Sequence, residues 1–154
     1  MADEIEKKFL LAYWPEALMT AGKKIAQGYM PAGSDKVIRI RLYGDDAFIT
    51  IKSRTVNGAR KEYEYPIPVN DAMEMLALFC IKPFVQKTRF CIDHGGFTWE
   101  VDRFEGENTG LIVAEIELDR IDQPFEKPDW IGEEVTGDPR FFNSNLVTHP
   151  YQSW

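Results

Sequence analysis

The chain has 154 residues, 44% of them hydrophobic and 28% charged, which fits one soluble-type domain with its own core. The formal net charge of -7 argues against a surface that wraps a nucleic-acid duplex, which needs a basic footprint, and no run is long and apolar enough for a membrane-spanning helix. Two histidines, His94 and His149, are too few and too far apart for a histidine-built zinc site, and Cys80 and Cys91 read as reduced, half-buried thiols.

The acidic start of the chain lacks the basic-then-apolar pattern of a signal segment, which predicts a cytoplasmic protein. Alternation of apolar and polar residues then predicts a first strand over 3–11. Trp14-Pro15-Glu16-Ala17-Leu18-Met19 reads as a short helix or turn, because proline suits a first helical turn. Strands are expected over 25–30, 37–43 and 47–54, the last two joined by Gly44-Asp45-Asp46 as a hairpin. Val56-Asn57-Gly58 supplies a turn into a strand over 60–67. The period changes at Asn70, a capping residue type, and predicts a helix over 70–79 with Met73, Leu76 and Ala77 facing inward. Pro83 ends that excursion. Strands over 85–93 and 97–104 form a hairpin around a solvated His94-Gly95-Gly96 turn, and a last strand covers 111–118. In the tail, Asp138-Pro139-Arg140-Phe141-Phe142 marks a short helix start, and Trp130, Tyr151 and Trp154 are expected to pack on the sheet, cover a mouth of it or contact a second subunit. The connections are too short for parallel crossovers, so the sheet is expected to be antiparallel and mainly β, with a few flanking helices.

Charge on these strands is not scattered. Arg39 and Arg41 share one face, as do Lys52 and Arg54, and Lys87 and Arg89. The acidic pairs Glu4 and Glu6, Glu62 and Glu64, Glu100 and Asp102, and Glu115 and Glu117 behave the same way, with Lys8 following on the first strand. Two architectures accommodate this. One is a sandwich with the charges in water. The other is an eight-stranded, tunnel-like barrel with a charged lumen, whose buried charges need partners. In the barrel, the bases suit a compact polyanion, since arginine offers forked donors to phosphate oxygens. Clustered carboxylates without histidine or thiolate suit a hard divalent cation, magnesium or manganese. A polyphosphate with its metal satisfies both sets.

Glu4-Ile5-Glu6-Lys7-Lys8 matches an ExExK pattern, followed in order by Arg39-x-Arg41, Lys52, Glu62-x-Glu64, Lys87-x-Arg89, Glu100-x-Asp102 and Glu115-x-Glu117. This series resembles the CYTH proteins, also called triphosphate tunnel metalloenzymes, across nearly the whole chain. The resemblance implies one CYTH-like domain over 1–154 that binds triphosphate in its tunnel, with a homodimer as a further implication. It implies Glu4, Glu6, Glu115 and Glu117 as metal ligands for Mg2+ or Mn2+. It implies Lys8, Arg39, Arg41, Lys52, Lys87 and Arg89 as substrate ligands. Arg54, Glu62, Glu64, Glu100 and Asp102 would support them, the acids by ion-pairing the bases. In some members a tyrosine and a lysine act as a catalytic pair, and Tyr29 and Lys52 match those positions; an arginine-rich lumen would favour a neutral lysine. The short bacterial members include inorganic triphosphatases, the activity expected here. Adenylate cyclase, another organic triphosphatase, and a non-catalytic polyphosphate or nucleotide binder are the alternatives.

Overall fold

The computed structural model describes residues 3–154. Ten strands form one antiparallel sheet: β1 (Asp3–Glu4), β2 (Glu6–Leu11), β3 (Lys23–Met30), β4 (Lys36–Tyr43), β5 (Asp46–Ser53), β6 (Arg60–Pro66), β7 (Val85–His94), β8 (Phe97–Phe104), β9 (Ile112–Glu117) and β10 (Ile131–Glu134). The single α-helix among the described residues, α1 (Val69–Phe79), lies between β6 and β7. The strand order is β1-β6-β5-β4-β3-β7-β8-β9-β2-β10. The β7–β8 turn uses Gly95 and Gly96 at φ 60° and 82°, left-handed values at both central positions, which match the twist of the paired strands.

The eight-stranded, tunnel-like barrel expected from the sequence is corrected. Among the described residues the ladder has ten strands and does not close. The expected first strand is broken at Ile5: Glu4 pairs with Arg60 of β6, whereas Glu6 pairs with Glu117 of β9. One short stretch of chain thus serves both ends of the strand order. The additional strand, β10, pairs with β2 from Ile131↔Leu11 to Glu134↔Phe9 across a register irregularity.

The strands present their charged sides to a common cavity and their apolar sides outward. Phe9, Trp99, Val101, Ala114 and Ile116 are all but inaccessible on the outer side of β2, β8 and β9, under Phe125, Trp130 and Ile131 from the segment that follows β9. Trp99 meets Phe9, Phe125 and Trp130 edge-on at centroid distances of 5.6–5.9 Å. Trp99→Ala should therefore cost about 3–5 kcal/mol of stability, read by denaturant unfolding; a change under about 1 kcal/mol would contradict this packing.

The helix covers β3, β4 and β5 through Ala72 and Leu76, which pack with Ile40, Ala47 and Cys80. Met73 and Ala77 are exposed, against expectation. The helix begins at Val69 behind Pro68, one residue before the expected start, and Asn70 makes no capping hydrogen bond. The inward stripe runs 72, 75, 76 rather than 73, 76, 77. Cys80 is buried and Cys91 exposed, so neither thiol is the half-buried one expected. His94 ends β7, partly buried, 3.5 Å from Glu126, rather than standing in a solvated turn.

A third cluster closes one end of the cavity. Val85, Phe104, Leu111 and Val113 from the sheet pack with Val135, Phe141, Leu146 and Val147 from the tail. The expected helix start is a single 3-10 turn, Pro139–Phe141, with the Asp138 carboxylate accepting from the Arg140 backbone N–H. Trp154 stacks edge-on against Phe141 and Tyr151, and Trp130 lies in the outer aromatic cluster.

Candidate active site

A cavity of about 1270 Å³ is lined by side chains from every strand except β10. The cause is the period-two alternation, which turns Glu4 of β1, Glu6 and Lys8 of β2, Arg39 and Arg41 of β4, and Lys52 of β5 to one side. Glu62 and Glu64 of β6, Lys87 and Arg89 of β7, Glu100 of β8, and Glu115 and Glu117 of β9 join them. Arg54 follows β5 as an exposed residue at the rim.

Most of the bases are matched to carboxylates on strands one or two places away in the sheet. Lys52 Nζ lies 3.1 Å from both Glu4 and Glu62. Arg39 reaches Glu64 at 3.2 Å and donates to Thr50 at 3.0 Å. Arg89 grips Asp102 through two hydrogen bonds of 2.8 and 2.9 Å and also reaches Glu100 at 2.9 Å. Lys87 shares Asp102 at 2.7 Å. Asp102 and Lys87 are each 1% exposed, so this is a buried ionic cluster rather than a surface one.

Lys8 and Arg41 differ. Among the described residues neither has a carboxylate ion-pair partner. Lys8 donates to the Phe141 carbonyl at 3.0 Å, and Arg41 Nε donates to the Gln27 side-chain carbonyl at 2.8 Å. Both are buried, and both are held by neutral acceptors with further donors to spare. Arg39 Nε adds a buried donor without a partner among the described residues.

Burial dominates the protonation behaviour. It pushes Lys87 down to about 7, against the pull of Asp102 and helped by Arg89 and Arg41. It also lowers Arg41 to about 10, with Arg39 and Arg89 adding repulsion. Burial would raise Glu4, but Lys52 and Arg60 outweigh it and hold the carboxyl at about 2. Glu115 is likewise held low against burial by Lys8, Lys87 and Arg89. Glu6 goes the other way: burial, then Glu115 and Glu4, push it well above the carboxylate range. Glu117 is raised by burial and by Glu4, Glu62 and Glu100.

This carboxylate wall suits a hard divalent cation in its chemistry. It is all oxygen, without imidazole or thiolate, and its crowding raises Glu6 and Glu117 as it would where positive charge is wanted. As the side chains stand, no three carboxyl, imidazole or thiol groups among the described residues are arranged as ligands, and Glu4 is turned to Lys52 and Arg60.

The expected pair Tyr29 and Lys52 both line the cavity but have separate partners. Tyr29 accepts a hydrogen bond of 2.6 Å from Gln27, and Lys52 sits between two carboxylates rather than among arginines. Sequence reasoning missed Gln27, Thr50, Arg60 and Asn143. Arg60 binds Glu4 at 2.9 Å, and Asn143 accepts from Lys87 at 2.9 Å. The 25, 27, 29 alternation of β3 places Gln27 on the cavity side; nothing local marks Asn143, which arrives with the tail.

The family model for the CYTH domain matches residues 2–151. An inorganic triphosphatase of Acetivibrio thermocellus is 47% identical over 154 residues, covering 100% of this chain and 99% of that protein. One from Nitrosomonas europaea is 37% identical over 148 residues, covering 94% and 96% respectively. A crystal structure of an inorganic triphosphatase superposes with a TM-score of 0.67 at 35% identity, covering 96% of this chain and 95% of that one.

Proposed function

The chain belongs to the CYTH family, and on that premise we propose that it is a divalent-metal-dependent inorganic triphosphatase acting on tripolyphosphate. Water attacks the terminal phosphorus, the bridging P–O bond breaks, its electron pair leaves with diphosphate, and the terminal group departs as phosphate. The observation that carries the reading is the cavity's surplus of buried donors: Lys8 and Arg41 are held only by neutral acceptors and have N–H groups to spare, and Arg39 Nε has no partner among the described residues. A compact polyanion is the ligand that such donors take.

Phosphoryl transfer asks mainly for positioning and electrostatic stabilisation. Arg39, Arg41 and Arg89 present guanidinium donors to the phosphate chain, and Lys8, Lys52 and Lys87 add point charges. Glu62, Glu64, Glu100 and Asp102 keep those bases in place through the ion pairs described. Glu4, Glu6, Glu115 and Glu117 would hold Mg2+ or Mn2+, which when bound offsets phosphate charge and makes a bound water more acidic. Tyr29 and Lys52 flank the reacting group as the catalytic pair. The same reading includes a cytoplasmic location and a homodimer. The exposed Ile51, Tyr63 and Tyr65 on the outer side of β5 and β6 are apolar surface available to a second copy.

With Mg2+ or Mn2+, phosphate release from tripolyphosphate should far exceed that from ATP, thiamine triphosphate or diphosphate. Glu117→Gln should abolish turnover with the fold intact; cyclic AMP from ATP, or binding without release, would replace the proposal with one of its rivals. A pH effect follows from Lys87. Its amine loses a proton as pH rises through about 7, which removes a positive charge from the free enzyme. kcat/KM should therefore fall above about pH 7, and Lys87→Gln should lower kcat/KM overall and remove that limb.

A further inference from the structure

Gln27 is 0% exposed, at the centre of β3, and takes no part in the roles assigned so far. Its side chain has three neighbours: Arg41 Nε at 2.8 Å, the Tyr29 hydroxyl at 2.6 Å and Asn143 Oδ1 at 3.3 Å. The direction of each bond is fixed by chemistry. A guanidinium Nε–H can only donate, so the atom facing Arg41 is the carbonyl oxygen and the other end of the amide is NH2. Asn143 is fixed independently. Its side-chain oxygen faces the Lys87 amine at 2.9 Å, so it can also accept from Gln27.

The consequence falls on Tyr29. Both Gln27 N–H groups are spent, one on Asn143 and one on Tyr29, and an amide NH2 cannot accept. The Tyr29 oxygen therefore accepts from Gln27, and its own hydrogen must point elsewhere. Tyr29 lines the cavity, and Gln27 is its hydrogen-bond partner among the described residues. We propose that Gln27 is a positioning residue that fixes the Tyr29 hydroxyl as a hydrogen-bond donor to a phosphoryl oxygen of the bound polyphosphate. Arg41 sets the orientation of Gln27, and Gln27 sets that of Tyr29, so two substrate-facing groups are aligned by one buried amide. This deepens the triphosphatase reading and rests on it.

The test is a double-mutant cycle on the full chain with Gln27→Met and Tyr29→Phe. Metal-free tripolyphosphate binding is measured by calorimetry, and turnover with Mg2+ is measured alongside it. Each single variant should weaken binding or turnover by about tenfold, and the double variant should lose clearly less than the about hundredfold product, because the share of the Gln27→Met loss that runs through Tyr29 is already gone while the share that runs through Arg41 remains. Losses that multiply would overturn the proposal, because a purely structural role for Gln27 acts whether or not the hydroxyl is present. Gln27→Glu is the second probe. It keeps the shape and still accepts from Arg41, but its carboxylate cannot donate to Tyr29 and draws the hydroxyl proton to itself. It should lose at least as much turnover as Gln27→Met, and wild-type turnover in Gln27→Glu would also overturn the proposal. If the unaltered protein binds tripolyphosphate without releasing phosphate, the triphosphatase reading falls while the binding cycle still decides the role of Gln27. No binding at all would end both.

Discussion

Arg41→Ala should lower the turnover of tripolyphosphate by about a thousandfold or more, in the range that a transition-state arginine supplies to phosphoryl transfer. Arg41 is singled out from the other buried arginines by what surrounds it. Arg39, Lys52, Lys87 and Arg89 each lean on a carboxylate, which compensates part of their charge before any ligand arrives. Arg41 leans on a neutral amide, so its charge is left for the ligand, and its fork is aimed by the Nε bond to Gln27. Arg41→Lys should recover only a small part of the loss, since an ammonium cannot both occupy the Gln27 oxygen and present parallel donors. Steady-state phosphate release measures both variants, and circular dichroism checks that each remains folded. Turnover of Arg41→Ala within about tenfold of wild type would remove Arg41 from the phosphate-binding set.

Asp102→Ala should cost about 3–5 kcal/mol of folding stability, the usual result of stripping the partner from a buried ion cluster. Asp102 is shared by Lys87 and Arg89, so its loss leaves two buried cations short of their main partner. The effect has a pH signature. Burial would raise the Asp102 carboxyl, but Lys87 and Arg89 outweigh it and hold the group below its ordinary 3.8. The folded state therefore keeps the carboxylate at pH values where the unfolded chain has begun to bind a proton. Its contribution is present in full above the ordinary value and is lost as pH falls through the lower folded one. Denaturant unfolding at pH 7 and at about pH 3 should show a smaller gap between wild type and Asp102→Ala at the acid end. Equal gaps at both would mean that the carboxylate charge is not what stabilises the cluster.

The charged side of each strand was readable because alternation is a local property. Once Arg39 and Arg41 are on a strand, the backbone leaves no choice about their sharing a face. What joins those faces is not local. The break at Ile5 follows from two partners, β6 and β9, that are far away in sequence, and no residue near Ile5 announces it. β10 was missed because Ile131–Glu134 is too short to display a period. The helix was placed correctly but rotated wrongly. Met73 and Ala77 have the right character for a core face, yet the groove over β3–β5 accepts the 72/76 stripe. Within the candidate site, the charged residues stood out because like charges at i and i+2 are conspicuous. Gln27 and Asn143 are neutral, and a neutral amide in a sequence looks the same whether it faces water or two buried cations.

The broken first strand bears on the order in which the chain can acquire its shape. Glu4 waits for Arg60, and Glu6 waits for Glu117, almost at the end of the sheet's chain. Residues 3–11 are therefore among the last to find all their partners. Hairpins such as β4–β5 and β7–β8 need only neighbouring residues and can form early. The seam made by residues 3–11 closes a long loop and pays its entropy only when β9 is ready. Until β9 is in place, the segment carrying Glu6 and Lys8 would lack its ladder partner. Assembly of the carboxylate wall then comes late in folding, and a chain that stops short of β9 would have the bases of β4, β5 and β7 without Glu115 and Glu117 beside them.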